Sequence, residues 1–279
     1  MKKKFIKSYA KVNLSLKVLG RNKNKFHKIQ SIISYLDIYD RIYINSINKK
    51  RHHVSFDGLF SKNLKNNTIT KLLNILKKKN LLKKKYKIQI KKNIPQKSGL
   101  GGGSMNAASV LSFFLKNKII SLSNKEILNI CNQIGSDVFL GLSRKNSILV
   151  NNKTIKKYDT KIGLFAVLIK PNIGCSTKKI YQRVKTFSKR RIKISSKVFK
   201  MQALKEEQND LEKPAFMLYP ILKKLKIFLF NLDQVRFVRM TGSGSVIVAY
   251  FSNKKSAINA LKLLKKNFKN YWSILSKTI

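Results

Sequence analysis

Alternating apolar and polar residues predict β-strands along much of the chain. In residues 12–18 every second residue is apolar, which is the period of a strand with one buried face. Short continuous apolar runs predict strands that are buried on both faces. Further strands are predicted at residues 42–44, 86–90, 164–169, 235–237 and 246–251. The last two of these are joined through a glycine-containing turn at residues 241–244.

Apolar residues that recur every three or four positions predict helices between the strands. Residues 69–76 show this spacing, and Asn67 or Thr68 is available as the N-cap. Ser123 and Glu126 have the spacing of a capping box, so another helix is expected to start there. Two more helices are predicted around residues 107–115 and 257–264.

Strands mixed with helices and joined by long connections predict an α+β fold with two lobes. We assign these lobes to an N-terminal domain, residues 1–155, and a C-terminal domain, residues 156–279. The sequence contains no evident internal repeat, and no Pro-, Gly- or Ser-rich linker divides it. The boundary therefore depends on the separate groups of strands and helices on either side of it.

The composition is that of a globular protein without membrane spans. Hydrophobic residues make up 43% of the 279 residues, which is enough for a sizeable core. The longest clean apolar run, residues 164–169, is too short to cross a bilayer. Residues 2–4 are basic, but only two apolar residues follow them, so we expect no export segment. Cys131 and Cys175 are too few for a disulfide framework, and three histidines without acidic clusters argue against a metal cage. We therefore expect a soluble cytoplasmic protein.

The strong positive charge does not by itself indicate a nucleic-acid partner. The formal net charge is +50, from 61 Lys and Arg against 11 Asp and Glu. The basic residues are nearly all lysine and are spread from end to end, whereas nucleic-acid readers favour the planar, bidentate fork of arginine. We interpret the excess as compositional drift, and we expect any binding to duplex DNA to vanish at moderate salt. Because carboxylates are so rare, each one in an apolar or glycine-rich setting is a candidate for a role.

A glycine-rich segment is the most specific local feature. Residues 95–104 read Pro-Gln-Lys-Ser-Gly-Leu-Gly-Gly-Gly-Ser and lie between a predicted strand and a helix rich in small residues. Such glycines let backbone N–H groups converge on an anion, and the helix adds the positive end of its dipole. The spacing fits neither a Walker loop nor a dinucleotide fingerprint. A flexible turn is the plainer alternative, but the number of glycines favours a phosphate loop. Ser104 is placed to cap the helix or to reach a phosphate or Mg²⁺.

The chain resembles the GHMP kinases, the superfamily of galactokinase, homoserine kinase, mevalonate kinase and phosphomevalonate kinase. The similar segments occur in the family's order over nearly the whole length. They are residues 10–14 (AKVNL), 26–31 (FHKIQS), 36–40 (LDIYD), 95–108 (the glycine-rich segment and the helix start), 135–138 (GSDV) and 239–245 (RMTGSGS). The resemblance implies an N-terminal ATP-binding lobe like domain 2 of ribosomal protein S5, a ferredoxin-like C-terminal lobe, and an active site between them.

The resemblance also implies a reaction. The glycine-rich segment and residues 26–31 are similar to those of the GHMP kinases that phosphorylate the 2-hydroxyl of 4-diphosphocytidyl-2-C-methyl-D-erythritol, in the non-mevalonate pathway to isopentenyl diphosphate. ATP with Mg²⁺ is the implied cofactor, without a dedicated protein metal site. We expect these small molecules as partners, no specific nucleic acid, no membrane, and a homodimer as an option. A kinase of the homoserine or mevalonate type, a basic RNA-binding protein and an inactive family member are the alternatives.

Individual site residues follow from the resemblance. Lys11 and Asp137 are implied to be catalytic, with Asp137 receiving the proton of the acceptor hydroxyl and Lys11 lying against it. The implied ATP site consists of Pro95, Gln96, Lys97, Ser98, Gly99, Leu100, Gly101, Gly102, Gly103, Ser104 and Met105. The implied substrate site consists of Asn13, Phe26, His27, Thr177 and Tyr181. In that site the histidine and the two aromatic rings would border the cytosine, and the asparagine would hold the methylerythritol end.

From the residues alone, plainer interpretations stay open. Asp137 lies among apolar neighbours beside a glycine, and it could equally cap the next helix. Lys11 lies in an apolar strand, where it either faces inward and needs a partner or faces solvent. Three positions depart from the family pattern: Met105 replaces a serine, Phe26 a tyrosine and Phe139 a proline.

Overall fold

The computed structural model describes residues 5–22, 27–61, 67–152 and 154–279, so the predicted substrate residue Phe26 lies outside the described residues. The chain forms two compact units, each assembled from segments that are distant in sequence. Unit 1 consists of Met1–Lys11, Ile38–Gln96 and Gly101–Arg144, and unit 2 consists of Val12–Asp37, Lys97–Leu100 and Lys145–Ile279. The sequence-based boundary between residues 155 and 156 stays a prediction.

The described residues contain helices and strands in both units. In chain order the strands are β1 (Ile6–Arg21), β2 (His27–Ile47), β3 (His53–Asp57), β4 (Lys85–Lys91), β5 (Asn146–Leu149), β6 (Ile155–Tyr158), β7 (Phe165–Lys170), β8 (Phe237–Met240), β9 (Ile247–Phe251) and β10 (Trp272–Lys277). The α-helices are α1 (Thr68–Lys78), α2 (Gly102–Lys116), α3 (Asn124–Ile134), α4 (Thr177–Gln182), α5 (Met201–Glu206), α6 (Glu212–Leu218), α7 (Pro220–Phe230) and α8 (Lys254–Asn267). Short 3₁₀ helices occur at Phe139–Leu142 and Ser196–Phe199. Among these helices, none combines the length and the apolar character needed to cross a bilayer.

Unit 1 packs three helices on a sheet. There, β4 runs parallel to β3 and antiparallel to the second half of β2, Arg41–Ile47. Helices α1, α2 and α3 share one apolar core with these strands. In α1 the four apolar residues at helical spacing are all buried, and Asn67 Oδ1 accepts the N–H of Thr70 at 2.8 Å. Ser123 and Glu126 form the capping box of α3. Both predicted helix starts are therefore confirmed.

Unit 2 contains an antiparallel sheet in the order β10-β7-β9-β8. Its inner strands β7 and β9 are largely buried, as their continuous apolar runs predict. Helices α4, α6, α7 and α8 contribute to the same apolar core. In this unit the first half of β2 also pairs with β5, and β5 pairs with β6. The edge strand β10 is missing from the sequence predictions, because its residues (WSILSK) have no regular alternation.

The prediction that residues 12–18 have one buried face is wrong. Every residue of this part of β1 is buried, including the polar residues of the alternation. Burial of a polar side chain is tolerated when a partner satisfies it. The partners are Ser31 for Asn13, the N–H of Ile32 for Ser15, and Glu207 for Lys17. The polar positions of β1 therefore belong to a buried hydrogen-bonding face of unit 2.

Both cysteine thiols are expected to be unreactive in the folded protein. Cys131 and Cys175 are buried, and burial raises the pKa of each thiol to about 11. Since the thiolate is the reactive form, we expect alkylation by iodoacetamide at pH 8 to be roughly a hundredfold or more slower than for an exposed thiol. Mass spectrometry should find both sites labelled after denaturation in guanidinium. Rapid labelling of either thiol in the native protein would contradict this packing.

Candidate active site

The glycine-rich segment between β4 and α2 has the backbone that a phosphate loop requires. Gly101 is the N-cap of α2 with φ 69° and ψ 15°, and Gly99 has φ 76°. Glycine adopts these left-handed angles without a steric penalty. Within the described residues no side chain caps α2, so the N–H groups of its first turn are available to an anion. Ser104 lies inside this first turn, and the alternative that it caps the helix is wrong.

The predicted ATP-site residues divide between the two units. Residues 95, 96 and 101–105 belong to unit 1, and residues 97–100 belong to unit 2. In unit 1 the Thr68 hydroxyl donates to the Gly103 carbonyl at 2.6 Å. In unit 2 the loop carbonyls of Lys97, Ser98 and Gly99 accept hydrogen bonds from Ser245 N (3.3 Å), Val246 N (3.2 Å) and Thr241 Oγ1 (3.2 Å). The conformation of the loop is thus held by hydrogen bonds to its carbonyl groups.

In unit 1, Lys11 and Asp137 form an ion pair. Lys11 Nζ lies 3.3 Å from Asp137 Oδ2. Lys11 is only 4% exposed, whereas the Asp137 side chain is 37% exposed and remains open to a ligand. Asp137 lies in the turn after α3, and the cap position of the following 3₁₀ helix is Val138. The interpretation of Asp137 as a helix cap is therefore wrong, and the buried orientation of Lys11 is the one that the structure adopts.

The absence of a side chain at Gly101 makes room for Lys11. A Cβ atom added to Gly101 would lie 2.9 Å from Lys11 Cγ and 3.1 Å from its Cε. The aliphatic part of this lysine thus lies directly against the N-terminus of α2. The positive φ and the close contact together explain why glycine is required here.

We expect Gly101→Ala to lower kcat about tenfold or more, because it displaces the Lys11 stem and small misplacements at an active site are costly. The left-handed angle adds about 1–2 kcal/mol of destabilisation. Steady-state kinetics and thermal unfolding would measure the two effects. Gly163→Ala is the control, since Gly163 has φ +70° and, apart from Gly163 and its two chain neighbours, no described residue has an atom within 4 Å of its added Cβ. Equal kcat values for the two variants would contradict the role of this contact.

Met105 faces the core and not the loop. It is 2% exposed, and a Cβ added to Gly141 would lie 2.9 Å from Met105 Sδ and 2.7 Å from the Cβ of Ala108. The absence of a side chain at Gly141 therefore leaves space for the side chain of Met105. Position 105 is the one where Met replaces the serine of the family pattern. The backbone of Met105 stays in α2, where its N–H donates to the Gly101 carbonyl at 2.9 Å.

The predicted substrate residues that the structure describes all lie in unit 2. Asn13 is buried, and its Nδ2 donates to Ser31 Oγ at 2.7 Å. Thr177 Oγ1 lies 2.7 Å from Ser243 Oγ. The rings of His27 and Tyr181 are 4.9 Å apart between centroids. Phe187 has its ring 6.5 Å from His27, and sequence reasoning missed it because the family motifs quoted above do not include its segment.

His27 keeps an unused hydrogen-bonding atom beside these rings. Its Nε2 is buried and has no hydrogen-bond partner among the described residues. Burial, and next the positive charge of Arg21, lower the pKa of His27 from its ordinary value. The ring is therefore mostly neutral at pH 7, and a neutral imidazole both donates and accepts hydrogen bonds. Nε2 of His27 could therefore form a hydrogen bond with the polar edge of a planar base that stacks on the neighbouring aromatic rings.

Comparison with known proteins places the chain in a family. Residues 67–144 match the GHMP kinases N terminal domain, and residues 198–270 match the GHMP kinases C terminal family. Over 277 residues the chain is 50% identical to the 4-diphosphocytidyl-2-C-methyl-D-erythritol kinase of Pelagibacter ubique (strain HTCC1062), covering 98% of both proteins. The chain belongs to this family of GHMP kinases. A family member of the same name from Anaplasma phagocytophilum (strain HZ) is 28% identical over 286 residues, covering 100% of this chain and 96% of the relative.

Solved structures of the family share this fold. A crystal structure of 4-(cytidine 5'-diphospho)-2C-methyl-D-erythritol kinase matches with a TM-score of 0.79 at 22% identity, covering 98% of this chain and 99% of the other. The homoserine kinase of Cytophaga hutchinsonii matches with a TM-score of 0.63 at 16% identity, covering 98% and 95%. The predicted two-lobed α+β GHMP kinase fold is confirmed.

Proposed function

We propose that the protein transfers the γ-phosphoryl group of ATP to the 2-hydroxyl of 4-diphosphocytidyl-2-C-methyl-D-erythritol. The observation that carries this proposal is the ion pair of Lys11 with Asp137, packed against Gly101 at the open N-terminus of α2. Half of the residues are identical to those of a relative that bears the name of this activity. The His27 ring with its unused Nε2 supports a cytidine-containing acceptor.

The loop residues fit a nucleotide. Gly99 and Gly101 adopt left-handed angles, and the uncapped amides of α2 provide donors for phosphate oxygens. Mg²⁺ would be bound mainly through the ATP phosphates and water, and when bound it would neutralise charge on the transferred group. We assign Ser104 as the residue that would help to hold Mg²⁺, because its hydroxyl lies in the first turn of α2. Within the described residues no cluster of three His, Cys, Asp or Glu could hold a metal ion by itself.

Asp137 and Lys11 provide the acid–base chemistry in this proposal. The half-exposed carboxylate of Asp137 accepts the proton from the acceptor hydroxyl at Oδ2 or Oδ1. The ammonium of Lys11, 3.3 Å from Oδ2, stabilises the negative charge that develops on the attacking oxygen. Because Lys11 is buried and wedged against Gly101, it is fixed in place before the substrate binds.

The substrate is tested by ADP release from Mg-ATP with three acceptors: 4-diphosphocytidyl-2-C-methyl-D-erythritol, homoserine and mevalonate. We expect turnover with the first acceptor alone. Turnover with homoserine or mevalonate instead would assign the protein to another GHMP kinase activity. Lack of turnover with all three, from protein with a cooperative unfolding transition, would overturn the proposal. The cytoplasmic location, the homodimer and the lack of a specific nucleic-acid partner stay predictions.

A further inference from the structure

Asp40 is a buried carboxylate among the apolar side chains on one face of strand β2. Along β2 the buried positions around it are Ile38 and Ile42, and Asp40 between them is 0% exposed. A charged group at such a position is stable only with partners that satisfy it. The family resemblance includes Asp40 in the LDIYD segment but implies no role for it, and the reaction proposed above does not use it.

The partners of Asp40 come from both ends of the glycine-rich segment. At the exit of β4, Asp40 Oδ1 accepts the N–H of Asn93 at 2.7 Å and the N–H of Ile94 at 2.9 Å. Lys92 forms a close ion pair with Oδ2, and it is itself 4% exposed. From α2, Asn106 Nδ2 donates to Oδ2 at 3.0 Å. One carboxylate thus binds three consecutive residues before the loop and one residue of the helix after it, all within unit 1.

The start of α2 rests on the residues that Asp40 holds. A Cβ added to Gly102, the first residue of α2, would lie 3.0 Å from Ile94 Cγ2 and 3.4 Å from Lys92 Nζ. The first turn of α2 therefore packs directly on the segment whose backbone N–H groups bond to Asp40. A shift of that segment would move the N–H groups that face an anion.

We propose that Asp40 is a positioning residue for the nucleotide: it fixes the exit of β4 and the first turns of α2 in the geometry that binds the ATP phosphates. This inference rests on the proposed function insofar as the ligand is ATP. Asp40 does not touch the nucleotide, because it is completely buried and its two oxygens already accept four donors. It acts through Lys92, Asn93, Ile94 and Asn106.

The test compares Asp40→Asn and Asn106→Ala with the native protein. Asp40→Asn keeps the shape of the side chain and the oxygen that accepts the N–H groups of Asn93 and Ile94. It removes the negative charge that faces Lys92, and it places the new amide NH₂ group opposite the Asn106 NH₂ group, so that two donors face each other. We expect KM for Mg-ATP to rise about tenfold in Asp40→Asn and about threefold to fivefold in Asn106→Ala. The values of kcat and of KM for the acceptor should stay within about twofold, since Lys11 and Asp137 are untouched.

Glu207→Gln is the matched control for a purely structural ion pair. Glu207 pairs with Lys17 in unit 2 at 3.4 Å, and both side chains are 9% exposed. This variant should lower the melting temperature, as Asp40→Asn does, without changing KM for Mg-ATP. An equal rise of that KM in Glu207→Gln, or an unchanged KM in Asn106→Ala, would overturn the inference. Asn106→Ala keeps the Asp40–Lys92 pair, so it decides the question even if Asp40→Asn does not fold.

Direct nucleotide binding separates this inference from the proposed reaction. Calorimetric titration with Mg²⁺ and a non-hydrolysable ATP analogue needs no acceptor. We expect Kd to rise in Asp40→Asn and Asn106→Ala by the same factors as KM. A native protein that binds the analogue but phosphorylates none of the three acceptors would refute the proposed function, while the Kd values would still decide the role of Asp40. A native protein that binds no nucleotide would overturn both.

Discussion

Asp137→Asn is expected to lower kcat by about 10²–10⁴-fold, the range that a general base contributes. The amide is nearly isosteric with the carboxylate, so the turn after α3 should persist. It cannot accept the hydroxyl proton, and it leaves Lys11, 4% exposed, without its negative partner. Because Asp137 lies outside the glycine-rich segment that we assign to ATP, Kd for Mg-ATP should change little. Single-turnover kinetics at saturating ATP would measure the loss directly.

Asp159→Asn is the control for removing a carboxylate. Asp159 forms an ion pair with Lys145 at 2.8 Å, but its side chain is 88% exposed, and exposed pairs contribute little. It should leave kcat unchanged. Lys11→Met, which keeps the length of the stem without the charge, should lower kcat in the same direction as Asp137→Asn. An Asp137→Asn variant with nearly native kcat would remove this residue from the mechanism.

Gly99→Ala is expected to cause the largest loss of stability among single substitutions in the loop. A Cβ at Gly99 would overlap the carbonyl oxygen of Thr241 and lie 2.9 Å from its carbonyl carbon. Both atoms belong to backbone, which cannot rotate away as a flexible side chain can. Overpacking typically destabilises a protein by about 1–3 kcal/mol, and the left-handed φ of Gly99 adds about 1–2 kcal/mol. The expected total is therefore about 3 kcal/mol, measurable by urea unfolding.

Gly163→Ala isolates the backbone term of this effect. Gly163 has φ +70°, close to the φ +76° of Gly99, but beyond its two chain neighbours no described residue has an atom within 4 Å of its added Cβ. It should lose only about 1–2 kcal/mol. A similar loss for both variants would mean that the contact of Gly99 with Thr241 relaxes, and that the loop tolerates a side chain there.

The elements with strong local patterns could be predicted from the sequence. Helix α1 follows from its apolar spacing and the cap at Asn67, and α3 follows from its capping box, since both signals act within a few residues. Strand β4 follows from its alternation between Tyr86 and Ile90. The mixture of strands and helices also predicts the α+β class with two lobes. The GHMP kinase fold of those lobes and the Lys11–Asp137 contact came from the family resemblance, because one lysine among so many carries no signal of its own.

Buried polar groups were the part that the sequence did not reveal. The alternation in β1 predicts a solvent-facing side, but Lys17 and its neighbours are buried because Glu207 and other partners reach them from distant segments. Asp40 did leave a signal, as a rare carboxylate in an apolar strand register. Its partners Lys92 and Asn106 lie directly after β4 and in α2, and only the tertiary structure brings them together. Sequence patterns within a few residues predict single helices and strands, whereas these buried polar networks depend on how several helices and strands pack together.

The hydrogen bonds of β1 within unit 2 set an order of events during protein synthesis. Asp210 N donates to the Leu16 carbonyl at 2.8 Å, Leu16 N donates to the Gln208 carbonyl at 2.9 Å, and Val18 N donates to Asp210 Oδ2 at 2.7 Å. The ribosome therefore has to add nearly two hundred residues after β1 before the partners at residues 208–210 exist, which takes roughly ten to forty seconds at ordinary elongation rates. During that time β2 can already pair with β1, but the part of β1 that residues 208–210 contact lacks these native hydrogen bonds. The time for which this part of β1 is exposed to chaperones and to aggregation is thus set by how far apart these contacts lie along the chain.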